Sequence, residues 1–185
     1  MSIPTPFNPM GTLGGMLPYV TPVMVSNNDW ANKTGPGAAS FGMELSYRTT
    51  RSDDIPTWKE SIYKAYGGSE IGGSTGGSAP GSYSLDIIMT FERPLLVRSL
   101  NFEIKFSHSS DGYRAKSASL TDANGNVLSN TVSLKTPGSN TWYSVKLVTV
   151  GAEFANVYIL HIEEVGIWRN MYFRGMDLTN SFYKK

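Results

Sequence analysis

The sequence predicts an all-β fold: an antiparallel jelly-roll β-sandwich with one short helix and an extended N-terminal arm. Three observations carry this. Apolar and polar residues alternate over 84–91, with Ile88 the one apolar residue in the polar register, and again without exception over 99–106, the period-two signature of strands with one buried and one wet face. Shorter strand-like runs recur down the rest of the chain with turn residues between them. Finally, 19 Gly and 10 Pro in 185 residues imply many turns and little room for long helices.

A chain of this length suits one domain and can bury about 70% of its unfolded surface. Hydrophobic residues make up 40% of it, enough for a core. Charged residues are only 17%, against roughly 25% in an average soluble domain. Such a surface is either partly covered by a partner or a neutral Ser/Thr/Asn-rich β surface. The net charge is +1, and no Lys/Arg run extends beyond Lys184-Lys185, so the clustered basic face that nucleic acid requires is missing. No apolar stretch reaches the roughly 18 residues of a spanning helix, and membrane insertion is not expected. The absence of Cys removes disulfides, thiol catalysis and thiolate metal sites.

Residues 1–25 form a Pro/Gly-rich arm, and residues 26–185 are assigned to the sandwich. Pro4, Pro6, Pro9, Pro18 and Pro22 exclude a continuous helix from the arm. The arm is nevertheless rich in apolar residues, among them Phe7, Met10, Leu13, Leu17 and Tyr19. A disordered tail is normally polar. These side chains are expected either to pack on another subunit as an assembly contact or to cover their own sandwich. With neither a basic nor an apolar leader region, the N-terminus does not read as a signal peptide, so synthesis in a host cytoplasm is expected.

The first strand is expected at 41–47, with Phe41, Met43, Leu45 and Tyr47 on one face. Asp53 or Asp54 as cap and Pro56 in the first turn then predict an amphipathic helix within 52–66. Residues 67–82 read as a flexible Gly/Ser loop. Leu85, Ile87, Met89 and Phe91 share one face of the next strand, and Pro94 is expected to turn the chain. Leu100, Phe102, Ile104 and Phe106 line the inner face of the strand after it. Further strands are expected at 116–121, 127–134, 142–150, 157–165 and roughly 168–178, with turns at Asp111-Gly112, Asn124-Gly125, Pro137-Gly138 and Gly151. Trp58 and Trp142 are assigned to the core.

The run from Tyr83 to Ile104, in which an aromatic residue opens an alternating strand and a Pro is followed by a second one, resembles discoidin-like, galactose-binding-domain-like modules. Ile62–Gly68 is similar to that family's short helix ending in an aromatic–turn–Gly step, and Ser119–Asn126 to its Asn-Gly hairpin. The resemblance extends over roughly 26–180. It departs in a longer Gly/Ser loop and in lacking the acidic cluster of the family's frequent calcium site. Asp29 and Glu70 are the only loop carboxylates to consider, so the metal stays unassigned and no cofactor is expected. The opening Ile3–Gly14 resembles the start of small bacteriophage virion proteins, which begin with a Pro/Gly-rich arm before a β-sandwich head.

Catalytic constellations do not assemble. Gly72-Gly-Ser-Thr-Gly76 fits the G-x-S-x-G pattern, but that motif needs a strained turn between strand and helix, and here it lies in a Gly/Ser run. His161 faces away from Leu160 and Ile162, as a surface or satisfied strand residue. His108 sits in a polar turn. Glu163 and Glu164 point to opposite faces, so they cannot oppose each other across a glycosidic bond.

Sugar recognition is the more plausible chemistry, using rings for C–H faces and Arg or Asn for hydroxyls on loops at one end of a scaffold. The candidates are Trp30, Tyr113, Arg114, Trp168, Arg169 and Asn170; the rival reading has Tyr113 and Trp168 cap the core or fill a subunit interface. The expectation is a non-catalytic structural or binding component of a phage particle (tail, fibre or decoration protein). Its arm would anchor it to other virion proteins or to its own copies, and its loops would contact host glycans. The alternative is a free-standing carbohydrate-binding module; a third reading is an accessory domain of an esterase or glycosidase.

Overall fold

The computed structural model describes residues 20–22, 43–49, 65, 69–74, 82–107, 115–135, 140–151, 153–166, 170–178 and 180–184. The described residues form two antiparallel sheets packed into a sandwich. The strands in chain order are β1 (Val20–Pro22), β2 (Met43–Thr49), β3 (Ile71–Ser74), β4 (Ser82–Val97), β5 (Ser99–Phe106) and β6 (Ser117–Thr121). They continue with β7 (Val132–Ser133), β8 (Tyr143–Val148), β9 (Ala155–Gly166), β10 (Asn170–Asp177) and β11 (Ser181–Lys184). The larger sheet runs β1-β11-β4-β9-β6-β7 with β2 also on β4; the smaller runs β3-β10-β5-β8.

The inner faces follow the alternation read in the sequence. Leu85, Ile87, Met89 and Phe91 of β4 are buried, as are Leu100, Phe102, Ile104 and Phe106 of β5. They meet Leu160 and Ile162 of β9, Met171 and Phe173 of β10, and Val145 and Leu147 of β8 in one core. Met43 joins it, with Leu45 and Tyr47 half-buried against it. Strand β6 is buried on both faces, since Ser117, Ser119 and Thr121 are buried as well as Ala118 and Leu120.

Pro94 does not turn the chain. Strand β4 continues through it to Val97, with a register shift between Thr90 and Leu95. A bulge tolerates a residue that lacks an N–H, which a regular ladder position does not. Beyond the bulge β4 changes partner. One edge carries β9, and the other carries β2 over Leu85–Phe91 and then β11 over Leu95–Val97. Tyr158 of β9 secures the bulge: its hydroxyl donates to Leu95 O at 2.8 Å, has Glu153 O at 2.9 Å as a second acceptor, and accepts from Val97 N–H at 3.3 Å. Its ring meets Phe91 edge-on, centroids 6.2 Å apart.

The Gly/Ser loop expected over 67–82 contains a strand. Ile71–Ser74 pairs with Phe173–Asn170, because main-chain pairing needs no side chain and Ile71 supplies a buried anchor. The expected strand over 127–134 is reduced to Val132–Ser133, with isolated bridges at Val127 and Ser129. The Asn-Gly turn is present: Gly125 has φ +85°, and Asp122 Oδ1 accepts from Asn124 N and Asn126 N, each at 2.8 Å. The helix expected within 52–66 lies outside the described residues except for Ala65, which is fully buried. Of the arm, Val20–Pro22 is described and pairs with Phe182–Lys184 of its own chain; Phe7, Met10, Leu13, Leu17 and Tyr19 lie outside the described residues.

Candidate functional site

The outer face of the smaller sheet gathers aromatic and charged side chains that the same alternation turns away from the core. In β10, Met171 and Phe173 point inward, which puts Tyr172 and Arg174 outside. In β5, Glu103 and Lys105 lie between buried neighbours and face outward. Strand pairing then sets these residues side by side. Tyr172 is level with Gly72 on one side and Lys105 on the other, and Arg174 is level with Glu103. Ile104 pairs with Tyr143, which brings Lys105 level with Trp142.

Trp142 is therefore not a core residue. It precedes β8 in the parity of the exposed Ser144 and Lys146 and is half-buried on the outer face. The Lys105 ammonium is bracketed by two rings, 4.6 Å from the Trp142 centroid and 4.5 Å from that of Tyr172. It also pairs with Glu70 Oε1 at 2.9 Å. The Arg174 guanidinium lies 4.2 Å from the Trp142 centroid and donates to both Glu103 oxygens, Nε to Oε2 at 2.6 Å and Nη2 to Oε1 at 3.3 Å. That hydrogen bond with Glu103 pushes the Arg174 pKa further up. Gly72 supplies the seat for Tyr172, since a Cβ there would come within 1.8 Å of the tyrosine ring. Two rings, two cations and two carboxylates thus share one open sheet surface.

The larger sheet carries a second polar row. Asp86 is 7% exposed, accepts from Arg48 Nε at 2.8 Å and pairs with Arg48 Nη2 at 2.7 Å. Its other oxygen meets His161 Nδ1 at 2.6 Å. His161 is thereby a satisfied strand residue. Neighbouring Ser117 donates to Glu163 Oε2 at 2.8 Å, and Lys116 Nζ lies 3.0 Å from Oε1; these bonds hold the Glu163 carboxyl below its ordinary pKa, the Ser117 bond most.

Of the residues singled out in the sequence, Trp30, Tyr113, Arg114, Trp168 and Arg169 lie outside the described residues. So do His108 and Asp29. Asn170 opens β10, paired with Ser74 and two positions before Tyr172. Ser74 ends strand β3. Glu70 is engaged with Lys105, and no group of three or more metal-ligating side chains assembles among the described residues. The sheet-face residues Trp142, Tyr172, Lys105 and Arg174 were not among the sequence candidates, although parity within β5, β8 and β10 puts all of them on one side.

No family model matches the chain, and no curated protein does. Among solved structures, the chain is similar to an arabinose-bound α-L-arabinofuranosidase at 13% identity, covering 82% of this chain and 24% of that one, TM-score 0.39. It is similar to TmCBM61 in complex with β-1,4-galactotriose at 15% identity, covering 78% and 88%, TM-score 0.36. It is also similar to the enzymatically active domain of bacteriophage CBA120 tailspike protein 4 at 13% identity, covering 89% and 21%, TM-score 0.37. The chain thus spans about a quarter of the arabinofuranosidase and a fifth of the tailspike chain.

Proposed function

We propose that the protein is a non-catalytic glycan-binding β-sandwich whose binding surface is the outer face of the smaller sheet. The observation that carries this is the pairing of Trp142 and Tyr172 around Lys105, with Arg174–Glu103 beside them. Aromatic rings stack on the C–H faces of sugars, and forked guanidinium and carboxylate groups bond vicinal hydroxyls. An open surface suits a chain of sugars rather than a small molecule enclosed in a cavity.

Trp142→Ala and Tyr172→Ala should each weaken binding to a responsive oligosaccharide on a glycan array by about 10–100-fold, the scale of losing an aromatic anchor. Gly72→Ala should reproduce the Tyr172→Ala loss, because the added methyl displaces the ring while leaving it in the chain. Unchanged binding in all three variants, with thermal midpoints as in the parent, would reject this surface.

Carriage on a phage particle is a second reading, favoured by the arm, where twelve sizeable apolar side chains fall within residues 1–25. Removing residues 1–19 keeps β1 and should abolish homo-oligomerisation or virion incorporation, read by sedimentation. Unaltered assembly would leave the binding module as the whole function.

A further inference from the structure

At the far end of β8 the same sheet face runs into a cavity of about 370 Å³. Arg98, Ser99, Lys146, Val148, Thr149 and Asn180 line it, and among the described residues no carboxylate does. Neither Arg98 nor Lys146 forms an ion pair among the described residues. This contrasts with Lys105 and Arg174, each neutralised by a glutamate.

The Arg98 position is fixed from both sides. Its N–H donates to Asn180 O at 3.1 Å and its carbonyl accepts from Thr149 N at 3.0 Å, while its guanidinium rests 5.4 Å from the Phe182 centroid. The Lys146 strand is held by Asn130, whose side chain accepts from Val148 N at 2.6 Å and donates to Lys146 O at 3.2 Å. Two cations without an acidic partner among the described residues, on a fixed frame, favour an anion, and a guanidinium pairs with a planar carboxylate or a sulfate in bidentate fashion.

Lys146 of β8 and Trp142 just before it share one parity four residues apart, about 13 Å at the rise of a β-strand. We infer that this cavity is an acid-recognising subsite, and that the glycan read by the Trp142–Tyr172 surface is acidic, with a carboxylate or sulfate on a sugar seated between Arg98 and Lys146. The inference rests on the glycan reading above for its ligand, but its residues are distinct.

The test compares a galacturonate oligosaccharide with a neutral galactose oligosaccharide of matched length, by calorimetry on the full chain. Arg98→Gln and Lys146→Gln should each weaken the acidic probe by about tenfold, as expected for one charge-assisted hydrogen bond, and leave the neutral probe unchanged. An acidic preference that survives the double substitution overturns the subsite. In parallel, galacturonate monosaccharide and inorganic sulfate are titrated against the amide signals of Ser99, Thr149 and Asn180. Shifts from galacturonate that vanish in the double variant support the subsite even if no oligosaccharide engages Trp142. No shift from galacturonate, or an equal affinity for sulfate alone, overturns it.

Discussion

Replacing Phe102 with Ala is expected to lower the unfolding free energy by about 3–5 kcal/mol. Phe102 is 2% exposed at the middle of β5, with β10 on one side and β8 on the other. Its ring lies 5.8 Å from that of Phe173, so truncation removes an aromatic contact as well as buried area. The neighbours that would have to close the gap are Leu100, Ile104, Val145 and Phe173, all held in register by paired strands. The void will relax only in part, which places the cost toward the upper end of that range. Urea unfolding should show a lower midpoint at an unchanged slope. A loss below about 1 kcal/mol, less than even a single buried methylene accounts for with its cavity, would contradict the burial of this face.

The second large effect is expected at Tyr158. Removing only its hydroxyl, by Tyr158→Phe, leaves Leu95 O and Val97 N–H in the β4 bulge without that partner. The cost is about 1–3 kcal/mol, the desolvation penalty of an unsatisfied buried group. The substitution also changes the response to alkali. Burial raises the Tyr158 pKa above its ordinary value of 10.0, opposed by the bond from Val97 N–H. In the unfolded chain this proton is lost from about pH 10 upward, while the folded protein still holds it. The associated stability is therefore complete below that pH and disappears as the pH rises through the folded value. Stability curves across pH 8 to 11 should fall less steeply in Tyr158→Phe than in the parent; parallel curves would show that the proton is not retained.

What could be read from the sequence divides along physical lines. Leu85–Phe91 and Leu100–Phe106 were legible because each strand has one dry face, so composition records orientation. Strand β3 was not, since its Gly72 serves a ring that belongs to Tyr172, a hundred residues away. Pro94 was misread because a missing N–H marks a turn and a bulge equally well. The placement of Trp142 could have been found from its parity with Ser144 and Lys146, against the general tendency of Trp toward burial. The sheet-face site as a whole needed strand order. Nothing local indicates that β5 sits between β10 and β8, and only that order brings Lys105 between two rings.

The pairing of Val20 with Lys184 has a mechanical consequence. Paired residues of an antiparallel ladder lie about 5 Å apart, so chain entering at residue 20 and chain leaving at residue 184 meet at one corner of the larger sheet. A pull between those two points opens the ladder one rung at a time, as in unzipping, instead of loading all its hydrogen bonds together in shear. A pull on both in the same direction leaves the ladder unstressed and suspends the sandwich from that corner like a pendant. The face bearing Trp142 and Tyr172 belongs to the other sheet.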